Sequence, residues 1–298
     1  MKKTLILLVA LILVLPVVFA LTLTINDPND DATYDSTSIL FSLSADEKST
    51  FYYMKNDGTN RWIKLCDKTT ECEKNIRASE GENTFSIKAV DSSGESDYKN
   101  VTFKVDSKKP KILKTLPLTN SFVNGDLFSV FYTEENLKEI KLFYLIEGDL
   151  KNKSVGCNSG EKKQCDFNLD LDAYDGKLMD FWFNVSDKVN SATSKITRVK
   201  IDTTDPDIND EQSSITADGT KVTFVLEVKE ENFEKAIYED VNDCGLKFET
   251  SGMLCSKLTN GRCAVTKKFC KGHHKIKAIV TDKAGNSAEI EKEFDLPE

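Results

Sequence analysis

Histidine is almost absent from this sequence: His273 and His274 are the only two, and they are adjacent within an alternating apolar stretch. Neighbouring side chains of a strand point to opposite faces, so the two cannot converge on one reacting atom. No serine occupies a Gly-x-Ser-x-Gly elbow, and no glycine-rich phosphate loop opens a helix, because helical periodicity is scarce. A catalytic carboxylate pair does not stand out among the 49 acidic residues. The chain therefore reads as a non-enzyme. None of its eight cysteines falls in Cys-x-x-Cys. This argues against the rival zinc reading of Cys244, Cys255, Cys263 and Cys270 with a neighbouring histidine, as does zinc's poor competition with oxidation outside the cell.

A basic excess is also lacking. The net charge is −9, and it becomes −11 once Lys2 and Lys3 are set aside, leaving 38 basic against 49 acidic residues. That argues against nucleic acid and anionic lipid as partners and fits a solvated surface in extracellular conditions. A second long apolar run is missing as well. The one run present spans Leu5 to Ala20, follows Lys2-Lys3 and is broken by Pro16. Its basic start, apolar core and small final residue read as a secretory signal over residues 1–20. The alternative is an uncleaved N-terminal anchor, in which case the membrane is met only through this segment.

What the sequence does have is a repeat. The stretch from His274 to Ser287 alternates through Ile276, Ala278 and Val280, turns from Asp282 to Asn286, and returns from Ala288 to Phe294. The same pattern occurs at Phe85–Asp91 with a return from Asn100 to Val105, and at Phe181–Asp187 with a return from Ile196 to Ile201. The turn aspartates Asp91, Asp187 and Asp282 are 96 and 95 residues apart. A period of this length marks whole domains rather than a solenoid. The linkers repeat too: Asp106 to Pro110 matches Asp202 to Pro206 at a spacing of 96, and Glu134 matches Glu230 at the same spacing. Short linkers ending in proline predict a semi-rigid rod.

Each repeat holds about six or seven short strands with turn signals every 8–12 residues, the pattern of an antiparallel β-sandwich of roughly 100 residues. In repeat one the expected strands include Ile39–Ser44 and Thr50–Met54, separated by a polar turn at Asp46-Glu47-Lys48. The expected fold is all-β, with domains at residues 21–106, 107–203 and 204–298.

The series apolar-x-Val-x-Asp-x-Ala-Gly-Asn-x-Ser, followed by a strand ending Val-Asp-x-x-x-Pro, resembles the immunoglobulin-like repeats of bacterial and archaeal surface proteins. It is best kept at Thr281–Ser287 and in the linkers Asp106–Pro110 and Asp202–Pro206. Repeat one departs with Ser92-Ser93-Gly94 and repeat two with Lys188-Val189-Asn190, both keeping a residue able to turn the chain. The inter-sheet cysteine pair of antibody domains is missing. The resemblance implies a spacer, stalk, array subunit or adhesive module, and no single ligand.

Eight cysteines behind a signal suggest disulfides, and eight alone allow 105 connectivities. The repeat narrows them. Cys66/Cys72 and Cys157/Cys165 each stand alone in their repeat, Cys255/Cys263 holds the same place in repeat three, and Cys244 is left to Cys270. Repeat three carries the most added sequence, between Cys244 and Cys270, so the loop Met253 to Arg262 is the first place to seek a contact. Asn100, Asn152 and Asn184 lie in glycosylation sequons.

No cofactor is required by this reading. Weak calcium candidates are Asp202, Asp205, Asp207 and Asp210, which crowd the second linker; the first linker keeps only Asp106 and adds Lys108 and Lys109. The turn aspartates have a sufficient role in accepting backbone N–H groups. Trp62, Phe181, Trp182 and Phe183 could form a sugar-stacking platform, but core packing is the simpler reading. The expected function is an exported cell-surface stalk or adhesive module whose partners are surface proteins or glycans. The alternatives are a self-assembling layer or filament subunit binding its own copies, and an accessory module of an extracellular enzyme.

Overall fold

The computed structural model describes residues 20–58, 61–240 and 250–297. The expected signal over residues 1–20 falls almost wholly outside them, as does Cys244. The chain divides into two compact units that meet in sequence after Lys108.

In the first unit the strands are β1 (Leu23–Asp27), β2 (Thr33–Tyr34), β3 (Ser38–Lys55), β4 (Ile63–Arg77), β5 (Gly81–Asp91) and β6 (Ser96–Val105). The turn expected at Asp46-Glu47-Lys48 does not form, and β3 runs through it. The reason is a register irregularity between Ser44 and Ser49 that absorbs the polar residues as a bulge. Besides β4, this one strand pairs with β1 before the bulge (Leu43 opposite Ile25) and with β5 after it (Phe51 opposite Ala89). The stretch from Cys66 to Cys72 is likewise not a loop but part of β4, with Cys72 opposite Leu43 and Cys66 opposite Phe51. Phe41, Phe51, Phe85 and Phe103 are fully buried in the core between these strands.

The second unit begins with β7 (Lys111–Leu116), β8 (Phe122–Val123), β9 (Phe128–Glu134), β10 (Glu139–Ile146), β11 (Asp149–Val155), β12 (Gly160–Phe167), β13 (Leu178–Ser186), β14 (Ser191–Thr193) and β15 (Thr197–Ile201). The sheet β12-β9-β7 belongs to the same sandwich as the sheet β11-β10-β13-β15-β8, with β14 paired to β13. Alternation dictates the core: Phe128, Val130 and Tyr132 of β9 share it with Phe181, Phe183 and Val185 of β13. Phe128 and Phe181 meet edge to face at 5.1 Å. Burying each such side chain contributes about 1.5–3 kcal/mol.

The unit continues with β16 (Asp207–Asp218), β17 (Lys221–Lys229), β18 (Phe233–Asp240), β19 (Ser251–Cys255), β20 (Arg262–Lys268), β21 (Gly272–Asp282) and β22 (Ser287–Leu296). The three-stranded sheet β16-β17-β20 packs with the four-stranded sheet β19-β18-β21-β22. Val222, Phe224 and Leu226 share this core with Ile276, Ala278 and Val280, the residues whose alternation marks the repeat.

The linker between these two sandwiches is held to the second by Asp175 and to the third by Asn286, whose Nδ2 donates to the Asp202 carbonyl. Asp175 accepts the amide of Thr203 at 2.7 Å and the hydroxyl of Thr204 at 3.1 Å. Glu80 plays the same part in the first unit, accepting the hydroxyl of Ser107 at 2.7 Å.

Candidate functional site

Strand ends place the acidic residues. Chain direction and strand length put Asp202 just past β15, Glu230 just past β17 and Asp282 at the last position of β21. A carboxylate oxygen from each lies within 4.8 Å of the other two. Asp282 is fully buried and Asp202 is 9 % exposed. Asp282 Oδ1 accepts the amides of Ala284, Gly285 and Asn286 at 2.8, 2.8 and 2.9 Å, a turn closed by Gly285 at φ +96°. Its Oδ2 accepts from Asn286 Nδ2 at 2.8 Å. Asp202 Oδ2 accepts from Asn232 Nδ2 at 2.7 Å, and Glu230 Oε1 accepts the Asn232 amide at 2.6 Å.

Hydrogen bonds orient these groups without cancelling their charge. Like charges roughly 4 Å apart repel by about 4 kcal/mol at an effective dielectric of ~20. Burial, and then the charges of Asp202, Asp282 and Glu231, push the Glu230 carboxyl above its ordinary value, against the opposing bond from the Asn232 amide. Asp175, by contrast, is held below its ordinary value, chiefly by the Thr203 amide.

Repeat two builds the same corner from Glu134, at the end of β9, and Asp187, just past β13. Carboxylate oxygens of these two lie within 4.8 Å, and the residues are 5 % and 3 % exposed. Asp187 Oδ1 accepts the amides of Val189 and Asn190 at 2.7 and 2.5 Å. Its Oδ2 is buried with no hydrogen-bond partner. The turn here is one residue shorter than in repeat three, and Asp187 Oδ2 lacks the side-chain donor that Asn286 supplies to Asp282. Asp91, the turn aspartate of repeat one, is more exposed; the Ser93 hydroxyl first, then nearby amides, hold it below its ordinary value.

The structure redistributes the expected calcium candidates. Only Asp202 joins a carboxylate group; Asp205, Asp207 and Asp210 are exposed, and Asp210 pairs with Lys292 at 2.6 Å. Asp205 and Asp207 line an open cavity of about 410 Å³ together with Lys200, Lys229 and Glu230. The Glu134/Glu230 spacing is visible in the sequence, but spacing alone gives neither residue a role. The signal was there: Glu-Glu-Asn follows the same strand in both repeats, at 134–136 and 230–232.

Other candidates fall as follows. His274 is fully buried, with Nδ1 2.6 Å from Asp240 Oδ2 and Nε2 3.0 Å from the Cys270 carbonyl, while His273 lies against Asp295 at 2.9 Å. Phe269 and Phe294 pack against the His274 ring. Cys66–Cys72, Cys157–Cys165 and Cys255–Cys263 are disulfides, and Cys270 is also disulfide-bonded. Phe181 and Phe183 are core residues, whereas Trp182 stacks on Phe143 at 5.6 Å on the opposite face of their strand. Trp62 and Tyr98 meet at 6.0 Å with the Lys88 ammonium over both rings. Asn100 and Asn152 are exposed; Asn184 is half-buried and its Nδ2 donates to Thr193 at 3.0 Å.

No family model and no curated protein sequence matches the chain. Similar solved structures are tandem arrays. The FN1–FN3 domains of chicken CNTN1 are 8 % identical, with 93 % of this chain and 98 % of that one covered at a TM-score of 0.46. An I-band fragment of titin is 13 % identical, covering 92 % and 97 % at 0.43. A tetra-tandem repeat from the extending region of a large adhesion protein is 12 % identical, covering 93 % and 74 % at 0.32. The fold is that of tandem immunoglobulin-like sandwiches. Sheet order and separate cores establish this within the chain itself.

Proposed function

We propose that the array is an exported, non-enzymatic component of the cell surface, a stalk or adhesive module that meets surface proteins or glycans through its sheet faces, edges and loops. The observation that supports this reading is that each repeat carries a disulfide local to it, and such bonds persist in oxidising compartments. The domain limits that go with it are 21–106, 107–203 and 204–298. The loop within Met253 to Arg262, clamped by Cys255–Cys263, is the contact site to test first. The intact mass of protein from its native cells, before and after reduction, tests export: a chain starting at Leu21 with every cysteine oxidised supports it. Retention of residues 1–20 makes it a tethered module, and free thiols in the native protein contradict the reading.

One observation favours assembly with its own copies. Among the described residues, ten large apolar side chains are exposed, and six of these belong to repeat two: Leu113, Leu118, Leu127, Leu150, Leu178 and Ile196. Surface of this kind is a cost unless something covers it. Sedimentation of residues 21–298 decides: concentration-dependent assembly supports a layer or filament subunit, and a strict monomer supports adhesion.

A further inference from the structure

The carboxylates that gather at the strand ends do more than close turns. In both repeats one oxygen of the aspartate, Asp187 Oδ1 or Asp282 Oδ1, takes the backbone amides of the turn; Asp282 Oδ2 takes the Asn286 side chain, and Asp187 Oδ2 takes no donor. The second carboxylate comes from the other sheet, at Glu134 or Glu230, and contributes nothing to the hairpin. Two carboxylates 53 and 52 positions apart in sequence are therefore directed to one point, twice.

At repeat two the arrangement leaves a visible deficit. Asp187 is 3 % exposed, its Oδ2 has no partner, and a second carboxylate lies within 4.8 Å. A buried anionic oxygen without a donor is strongly unfavourable unless a cation or proton compensates it. At repeat three the crowding is electrostatic: Asp202 joins Glu230 and Asp282, so three carboxylates share one corner.

We propose that these are built sites for a hard divalent cation, calcium, held by Glu134 and Asp187 in repeat two and by Asp202, Glu230 and Asp282 in repeat three. The donor set is all oxygen, with no sulfur or imidazole, which selects a hard ion over zinc. Calcium–oxygen distances of about 2.3–2.6 Å place ligands on one ion no more than about 5 Å apart, and the 4.8 Å grouping meets that limit. Calcium also accepts the irregular coordination that carboxylates, carbonyls and waters would supply, which the octahedral demand of magnesium does not. In repeat three the ion would bind the linker residue Asp202 to the two sandwich residues, so calcium would stiffen the connection between the second and third sandwiches.

The test uses the full chain stripped with a chelator and titrated with calcium chloride by calorimetry, alongside thermal melts. The expected result is saturable binding of about two ions with Kd near the 10⁻⁴–10⁻³ M of extracellular modules, and a rise in Tm of about 5 °C or more when saturated. Glu134→Gln and Glu230→Gln keep shape and hydrogen-bonding capacity, and each should remove about one ion while melting cooperatively in chelator. Asp210→Asn, at an exposed position outside both groups, should bind like the parent. Absence of saturable binding up to about 10 mM calcium overturns the proposal. So does unchanged binding in the Glu134→Gln/Glu230→Gln double variant, or loss of binding in Asp210→Asn alone.

Discussion

Asn286 reaches 84 positions back along the chain, donating from Nδ2 to the backbone carbonyl of Asp202 at 2.8 Å. The same nitrogen donates to Asp282 Oδ2 at 2.8 Å, so one amide group joins linker and turn. Replacing it leaves two acceptors in a buried corner without that donor. Asn286→Ala should cost about 1–3 kcal/mol, read by urea unfolding. Hydrogen exchange should place the loss in repeat three and the Asp202 linker, and protection unchanged there would contradict the account.

Glu230 should make the metal-free array respond to acid. Its folded value is raised, by burial first and then by neighbouring carboxylates. A raised group contributes stability in its protonated form, fully present below the unfolded value and lost as pH rises through the folded value. In chelator, the parent should therefore lose Tm relative to Glu230→Gln as pH climbs from the ordinary glutamate range toward neutrality. Parallel pH curves for the two proteins would remove Glu230 from the explanation.

The disulfides close short loops, 6 residues apart for Cys66–Cys72 and 8 apart for Cys157–Cys165 and Cys255–Cys263. Loop-closure entropy for spans this small gives about 2–2.5 kcal/mol each, less than the cores supply. Reduction should lower the unfolding midpoints while leaving the far-ultraviolet spectrum of a folded β-protein. Collapse of that spectrum on reduction would show that the cores cannot stand alone.

Trp182 and Phe183 are neighbours in sequence with opposite surroundings. Phe183 is fully buried, and Phe183→Ala should cost about 3–5 kcal/mol. Trp182 lies on the other face, stacked on Phe143, so Trp182→Ala should cost only about 1 kcal/mol, the scale of an aromatic pair. Equal losses in a denaturant series would show that the outer face is covered by something the isolated sandwich does not contain.

Much of this was readable before any coordinates. The alternation Ile276, Ala278, Val280 marks a strand with one buried face, and the structure buries those three. The repeat places Asp282 in the turn, and its Oδ1 collects three amides there. The continuity of β3 was not readable, because Asp46-Glu47-Lys48 is as good a turn as a bulge until a partner strand is present to absorb it. The carboxylate corners are not legible in the sequence for a related reason. Glu230 and Asp282 lie on different sheets, and local sequence carries no record of which strand ends coincide.

The period of the array, the inward face of most strands and the cysteines that lie close enough to pair all depend on spacing along one chain, and so are written in its residues. Only the tertiary structure decided that Glu134 meets Asp187 and that Asp202 meets Glu230 and Asp282. Those meetings depend on two sheets closing over a core, and it is the burial and crowding created by that closure that turn ordinary surface acids into a site.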